Sequence, residues 1–231
     1  MTLIPPPAAS IQDTVDRALA EDVGPGDLTR PAIPANRRAR ATIVARQAGV
    51  VCGQPYAETV FQRLGSGVSI TWHCSEGERV AADALLAELE GPAGLLVTGE
   101  RTALNLLQTL SGTATATAEL VAQVADLGVR VVDTRKTLPG LRTAQKYAVR
   151  VGGGHNHRHG LYDGALIKEN HIAWAGGIAQ AVAAVRDAAP HTSRVQVEVE
   201  DRHQLAEAFR AGAEAALLDN FSLEELAAAV A

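Results

Sequence analysis

Asp133-Thr134-Arg135-Lys136 puts a carboxylate, a guanidinium and an ammonium within four positions, and Pro139-Gly140 ends the stretch. GGGHNHRHG follows from Gly152, and LIKENH brings Lys168. An arginine beside a lysine suits small anions. The guanidinium grips a carboxylate or phosphate as a bidentate fork, and the ammonium adds a mobile point charge. Two carboxylates come later, Glu198 in RVQVEVE and Asp219 in LLDN. Such a pair suits a Mg²⁺ ion that keeps several waters and is completed by substrate phosphates. Together these groups point to one phosphorylated substrate and one carboxylate-bearing substrate, with a structural ion-pair network as the alternative.

The lysines sharpen this. Of 21 basic residues only three are lysines, Lys136, Lys146 and Lys168, and all fall between positions 136 and 168. In a chain that otherwise uses arginine, Lys136 and Lys168 read as places where a compact ammonium with an adjustable pKa is needed. Lys146 lies in helical sequence and reads as a solvated surface residue. His155, His157 and His159 alternate and would share one face of an extended chain, which opens a zinc reading. They follow three glycines at a helix end, away from the rigid elements and supporting hydrogen bonds that a zinc site needs, so that reading is the weaker one. Gly152-Gly153-Gly154 either lets backbone approach a ligand closely or caps the preceding helix.

These residues need elements to hold them. SIQDTVDRALAED reads as an N-terminal helix that stops at GPGDLTRPAIP. ARATIVAR, GVSITWHC and DALLAELE read as short strands, PYAETVFQRLG as an interposed helix, and SEGERV as a turn; this small α+β unit ends near Gly91-Pro92. TGERTALNLLQTLSG fits an amphipathic helix with Thr98 as N-cap, and ATATAELVAQVADLG a second helix ending at Gly128. From VRVVD onward strand and helix alternate. VRVVD precedes LRTAQKYAVRV, GALIK precedes GGIAQAVAAVRDAA, RVQVEVE precedes RHQLAEAFRAG, and EAALLD precedes SLEELAAAVA. Apolar strands each followed by a helix imply a parallel sheet covered by helices. Chemistry in such sheets collects at the C-terminal strand ends, where Asp133–Lys136, Lys168, Glu198 and Asp219 fall. The expected architecture is α/β: an N-terminal α+β sandwich-like domain over 1–98, then an incomplete or open α/β (TIM-like) barrel over 99–231.

Composition narrows the partners. Aromatic residues make up 3%, which leaves little for stacking nucleic-acid bases, and the net charge of −5 gives no general attraction for polyanions. No apolar run is long enough to span a membrane, and MTLIPPPAAS lacks a basic stretch ahead of an apolar one. Cys52 and Cys74 form no metal or redox spacing, so a reducing cytoplasm is expected.

The stretch DTRKTLPGLRTAQKYAVRVGGGHNHRHGLYDGALIKENH resembles the signature of the quinolinate phosphoribosyltransferases, and ERTALNLLQTLSGTATAT, EDVGPGDLT and LLDNFS resemble their other landmarks. The resemblance covers essentially the whole chain. It implies phosphoribosyl transfer from phosphoribosyl pyrophosphate to quinolinate with decarboxylation, giving nicotinate mononucleotide, pyrophosphate and CO₂. It further implies that Arg101, Thr134, Arg135, Lys136, His157, Arg158 and Lys168 bind substrate, and that Glu198 and Asp219 face ribose and a Mg²⁺ that accompanies pyrophosphate. Lys136, Lys168, Glu198 and Asp219 are the implied catalytic groups, with no organic cofactor. Arg46, in VARQAGV, matches an arginine that the family supplies across a homodimer interface.

The family also implies further βα units after Ala231, with a Ser-Gly-Gly turn and a glycine-rich strand end for phosphate. Only four strands of the repeating kind are legible here, and a closed barrel requires more. A shortened relative that binds ligand or partner without turnover is therefore one alternative. A metal-dependent hydrolase using HNHRH, or the molybdenum-associated branch of the superfamily, is another. The intact NHR and IKENH favour the quinolinate branch over the latter.

Overall fold

The structure is a computed structural model that describes residues 3–230, and it comprises two compact units, Met1–His157 and Arg158–Ala231. Unit 1 opens with α1 (Ala8–Asp22), whose buried residues Ile11, Thr14 and Val15 recur at helical spacing. Strands β1 (Arg38–Val44), β3 (Ser69–Trp72) and β5 (Leu85–Pro92) form an antiparallel sheet in the order β1-β5-β3. Strand β5 shows the alternation of a half-buried strand, with Leu89 buried and Glu88 and Glu90 not, and Glu90 pairs across the sheet with Arg40. A second, two-stranded ribbon joins β2 (Gly49–Val50) to β4 (Arg79–Val80), and β4 falls within the SEGERV stretch read as a plain turn. That turn also carries Glu76, whose carboxylate accepts the Gly53 and Gln54 N–H groups and so caps the start of α2 (Gln54–Leu64).

One helix organises the unit. The two helices expected over 98–128 are a single α3 (Ala93–Gln123), which starts behind Pro92 rather than at Thr98. Thr98 instead donates to Asp27. The polar residues that suggest a break have lateral partners: Cys52 N–H donates to Ser111 Oγ at 3.0 Å, and Val50 N–H to Thr115 Oγ1 at 2.8 Å. Gly99 allows α2 to lie close, since a Cβ there would meet the Phe61 ring at 2.7 Å. The core gathers Val15, Cys52, Tyr56, Val60, Leu110 and Ala114, with Tyr147 and Ala148 of α4 (Arg142–Val151). Gly152 seats the end of α4 on α3; a Cβ there would run into the Ala114 carbonyl oxygen. Gly153, at φ +88°, and its neighbours take the last α4 carbonyls, so the triple glycine is a cap and a packing surface.

VRVVD is not a full strand. Among the described residues Val132 makes only an isolated parallel bridge, to His155, because the run lacks a neighbour hydrogen-bonded along its length. Unit 2 is the βα repeat the sequence predicts. Strands β6 (Ala165–Ile167), β7 (Val195–Val199) and β8 (Ala215–Leu218) are parallel in the order β6-β7-β8. Helices α6 (Ile178–Ala188), α7 (Arg202–Arg210) and α8 (Leu223–Val230) follow them, with a short α5 (Glu169–Ala175) that the sequence reading omits. Ile167, Val195, Val197 and Val199 are buried with Val182 and Ala208.

Candidate active site

Six of the expected residues lie in unit 1 and four in unit 2 (Arg158, Lys168, Glu198 and Asp219). Within unit 1 they form two sets. Arg46 and Arg101 line one open groove of about 1000 Å³ with a largely apolar floor that includes Ile43, Leu96, Val97 and Leu104. The Arg46 side chain is 86% exposed and 3.9 Å from Asp83. Thr134, Arg135, Lys136 and His157 do not line that groove.

The second set is held from below. Thr134 and Lys136 are exposed while Asp133 and Arg135 turn inward, the alternation of an extended segment. Thr134 Oγ1 accepts the Lys136 N–H at 3.0 Å, and Arg142 donates to Arg135 O and to Thr137 Oγ1. Arg135 Nε is sealed from solvent with no acceptor, an exception among buried donors that calls for an explanation.

Lys146 overturns its expected place on the surface. Its side chain is 2% exposed and ion-paired with Asp133, itself 8% exposed. Asp133 also accepts the His157 N–H at 2.9 Å and Asn156 Nδ2 at 2.6 Å. Lys146 Nζ reaches His157 O at 3.3 Å. The sequence marks Asp133 as a charged strand end but gives it no role, and it does not single out Asn156.

In unit 2 the strand register does the gathering. Lys168 follows β6 and Asp219 follows β8, with Asp219 N–H extending the ladder to Val199 O. Ile167 is opposite Val197, and Val199 opposite Leu218. Lys168, Glu198 and Asp219 therefore share one sheet face, opposite to the one that buries Val195, Val197 and Val199. Lys168 Nζ is ion-paired with Glu198; the lysine side chain is 45% exposed and the glutamate 14%. Asp219 is exposed and accepts from Asn220 Nδ2 at 3.3 Å. Two carboxylates on neighbouring strands are hard oxygen donors of the kind Mg²⁺ takes, so the donor set fits that ion. Arg158 Nη1 donates to Gly164 O, one residue ahead of β6, whereas Lys168 follows its other end. The loop after Arg158 is tied by Asp163. Partial burial raises that carboxyl's pKa, but the N–H groups of Gly160 and His159 outweigh this and leave it below the usual range. Among the described residues no group of three or more His, Cys, Asp or Glu could hold a metal, so HNHRH does not assemble as a zinc site.

Comparison with known proteins agrees along the whole length. The family model of the quinolinate phosphoribosyl transferase C-terminal domain matches residues 113–231, and that of the N-terminal domain residues 27–111. A probable nicotinate-nucleotide pyrophosphorylase [carboxylating] of Bacillus subtilis is 46% identical over 200 residues, 87% of this chain and 69% of its own length. The human nicotinate-nucleotide pyrophosphorylase [carboxylating] is 39% identical over 226 residues, 97% of this chain and 74% of its own. The solved nicotinate-nucleotide pyrophosphorylase of Francisella tularensis superposes with a TM-score of 0.93 at 42% identity, over 100% of this chain and 81% of that one.

Proposed function

Because the chain belongs to the quinolinate phosphoribosyltransferase family, we propose that it joins quinolinate to the ribosyl carbon of phosphoribosyl pyrophosphate and releases pyrophosphate and CO₂. The product is nicotinate mononucleotide, a step of NAD biosynthesis. The observation that carries this reading is the half-buried Arg135 beside the exposed Lys136, in a segment held by Arg142. A guanidinium and an ammonium fixed side by side suit a pyridine dicarboxylate, which accepts charge-assisted hydrogen bonds from both.

The chemistry follows from charge. Arg101, Thr134, Arg135, Lys136, His157, Arg158 and Lys168 are assigned to substrate, with the arginines and lysines offsetting the two negative charges of quinolinate and orienting its ring nitrogen. The departure of pyrophosphate leaves an oxocarbenium-like ribose, and the carboxylates of Glu198 and Asp219 stabilise its positive charge. Glu198 and Asp219 are also the residues that would hold Mg²⁺, which when bound with the pyrophosphate substrate supplies positive charge against the leaving group. Once alkylated, the ring nitrogen is cationic, and the ring accepts the electrons released as the adjacent carboxylate leaves. A proton then reaches that ring carbon, with Lys136 or Lys168 as the donor. No organic cofactor enters. A homodimer with Arg46 contributed across the interface is part of the proposal, supported by the open apolar groove that Arg46 borders. A cytoplasmic location accords with the two free cysteines and with the lack, among the described residues, of any helix long and apolar enough to cross a membrane.

The test is formation of nicotinate mononucleotide from quinolinate, phosphoribosyl pyrophosphate and Mg²⁺ by the purified chain. Arg135→Ala and Lys136→Ala are each expected to lose at least roughly tenfold in kcat/KM, the loss that follows removal of a charge-assisted substrate contact. Wild-type rates in both variants would refute the assignment.

A further inference from the structure

The Asp133–Lys146 pair belongs to no substrate contact assigned above, yet it is nearly sealed from water. A buried ion pair is weak ground for stability, since apolar residues of similar volume often serve as well. What an apolar pair could not do is hold polar backbone. Here the two charges grip the same peptide unit and its neighbour: Asp133 Oδ1 accepts the His157 N–H at 2.9 Å, and Lys146 Nζ reaches His157 O at 3.3 Å. Asn156 closes the ring, its Nδ2 donating to Asp133 Oδ2 at 2.6 Å and to Lys146 O at 2.9 Å. The main chain is stitched alongside, with Asp133 N–H on His155 O and His155 N–H on Val131 O.

Helix α4 presents the lysine as part of a face. Arg142, one turn earlier, holds Arg135 O and Thr137 Oγ1, and Gln145 Oε1 accepts the Leu138 N–H at 2.8 Å. Three successive contacts from one helix therefore fix the segment that carries Thr134, Arg135 and Lys136, and Lys146 extends the grip to His157.

We propose that Asp133 and Lys146 are positioning residues for the quinolinate side of the reaction: their buried pair locks the His157 peptide against the Thr134–Lys136 segment before the diacid binds. This rests on the assignment of Arg135, Lys136 and His157 to quinolinate. Rigid presentation of substrate contacts matters because small misplacements are amplified in rate and affinity.

The test compares wild type, Lys146→Met, and the neutral double variant Asp133→Asn/Lys146→Met, which relieves the lone buried charge and keeps a folded protein in hand. Amide hydrogen exchange at His157 is measured without substrate, and KM is measured separately for quinolinate and for phosphoribosyl pyrophosphate. In the double variant His157 exchange is expected to rise, and KM for quinolinate to rise by roughly tenfold while KM for phosphoribosyl pyrophosphate stays within about twofold. A general loosening would raise both KM values together, and simple loss of folded enzyme would lower apparent kcat with neither KM changed; either result overturns the positioning role. So do wild-type exchange and wild-type quinolinate KM in the folded double variant. If the wild type itself did not use quinolinate, the functional reading would fall and the positioning role with it. Faster His157 exchange in the variants would then still identify the clamp, which separates the two failures.

Discussion

Among the described residues each unit contains one lysine–carboxylate pair, and the two pairs differ in how far water reaches the lysine. Asp133–Lys146 is closed off, at 8% and 2% exposure, with Asp133 also bonded by the His157 N–H and by Asn156. Lys168–Glu198 leaves its lysine 45% exposed on the open face of a parallel sheet. Breaking a sealed pair strands a charge in a poor solvent for it, whereas a half-open pair can trade its partner for a ligand at little cost. The same two functional groups are thus a fixture in unit 1 and an exchangeable contact in unit 2.

The contrast can be broken by measurement. The largest change is expected for Lys146→Met, which leaves Asp133 charged and unpaired; urea unfolding should show a loss of about 3–5 kcal/mol. A loss under about 1 kcal/mol would put it in the class of exposed pairs and erase the distinction. Lys168→Met should behave in the opposite way. Its stability cost should be smaller than that of Lys146→Met, because Glu198 keeps 14% exposure, but kcat/KM for nicotinate mononucleotide formation falls on the order of a hundredfold, as when an electrostatic donor is removed from a reacting site. Asp219→Asn, on the same sheet face, should raise the Mg²⁺ concentration for half-maximal rate by roughly tenfold with unfolding unchanged. Asp27 sets the lower end of the scale. Hydrogen bonds from the Thr29 and Thr98 side chains, then from Thr29 N–H, lower its pKa to about 2. Its charge therefore stabilises the fold above the ordinary carboxylate range, and that contribution fades as pH falls from about 4 toward about 2. The small Tm difference between wild type and Asp27→Asn should shrink over that window and stay constant above it.

How much of this could be read without the fold depended on distance along the chain. The repeat in unit 2 was legible because each strand is locally apolar and each helix locally amphipathic; β7 and β8 fall where RVQVEVE and EAALLD put them. Glu198 and Asp219 followed from that, since strand ends locate them. Lys146 was misread for the complementary reason. Its buried charge is met by Asp133, thirteen positions away in sequence, and a helix face that looks solvated in isolation can be the inner one. The division of α3 failed similarly. Ser111, Gly112 and Thr115 weaken helix propensity, but Ser111 and Thr115 hydrogen-bond the backbone at Cys52 and Val50, and such tertiary partners override propensity. The β2–β4 ribbon is two residues per strand and leaves no periodicity to detect.

The unbroken run of α3 carries a consequence for how the family's sequences can diverge. At 31 residues it is about 46 Å of continuous rod. Arg101 stands near its beginning, and the anchors Ser111 and Thr115 lie further along. Inserting or deleting a single residue between them would rotate everything beyond by about 100°. Substitutions can accumulate along this rod, whereas length changes should be confined to its ends, so an aligned set of homologues ought to show a gap-free block from Ala93 to Gln123.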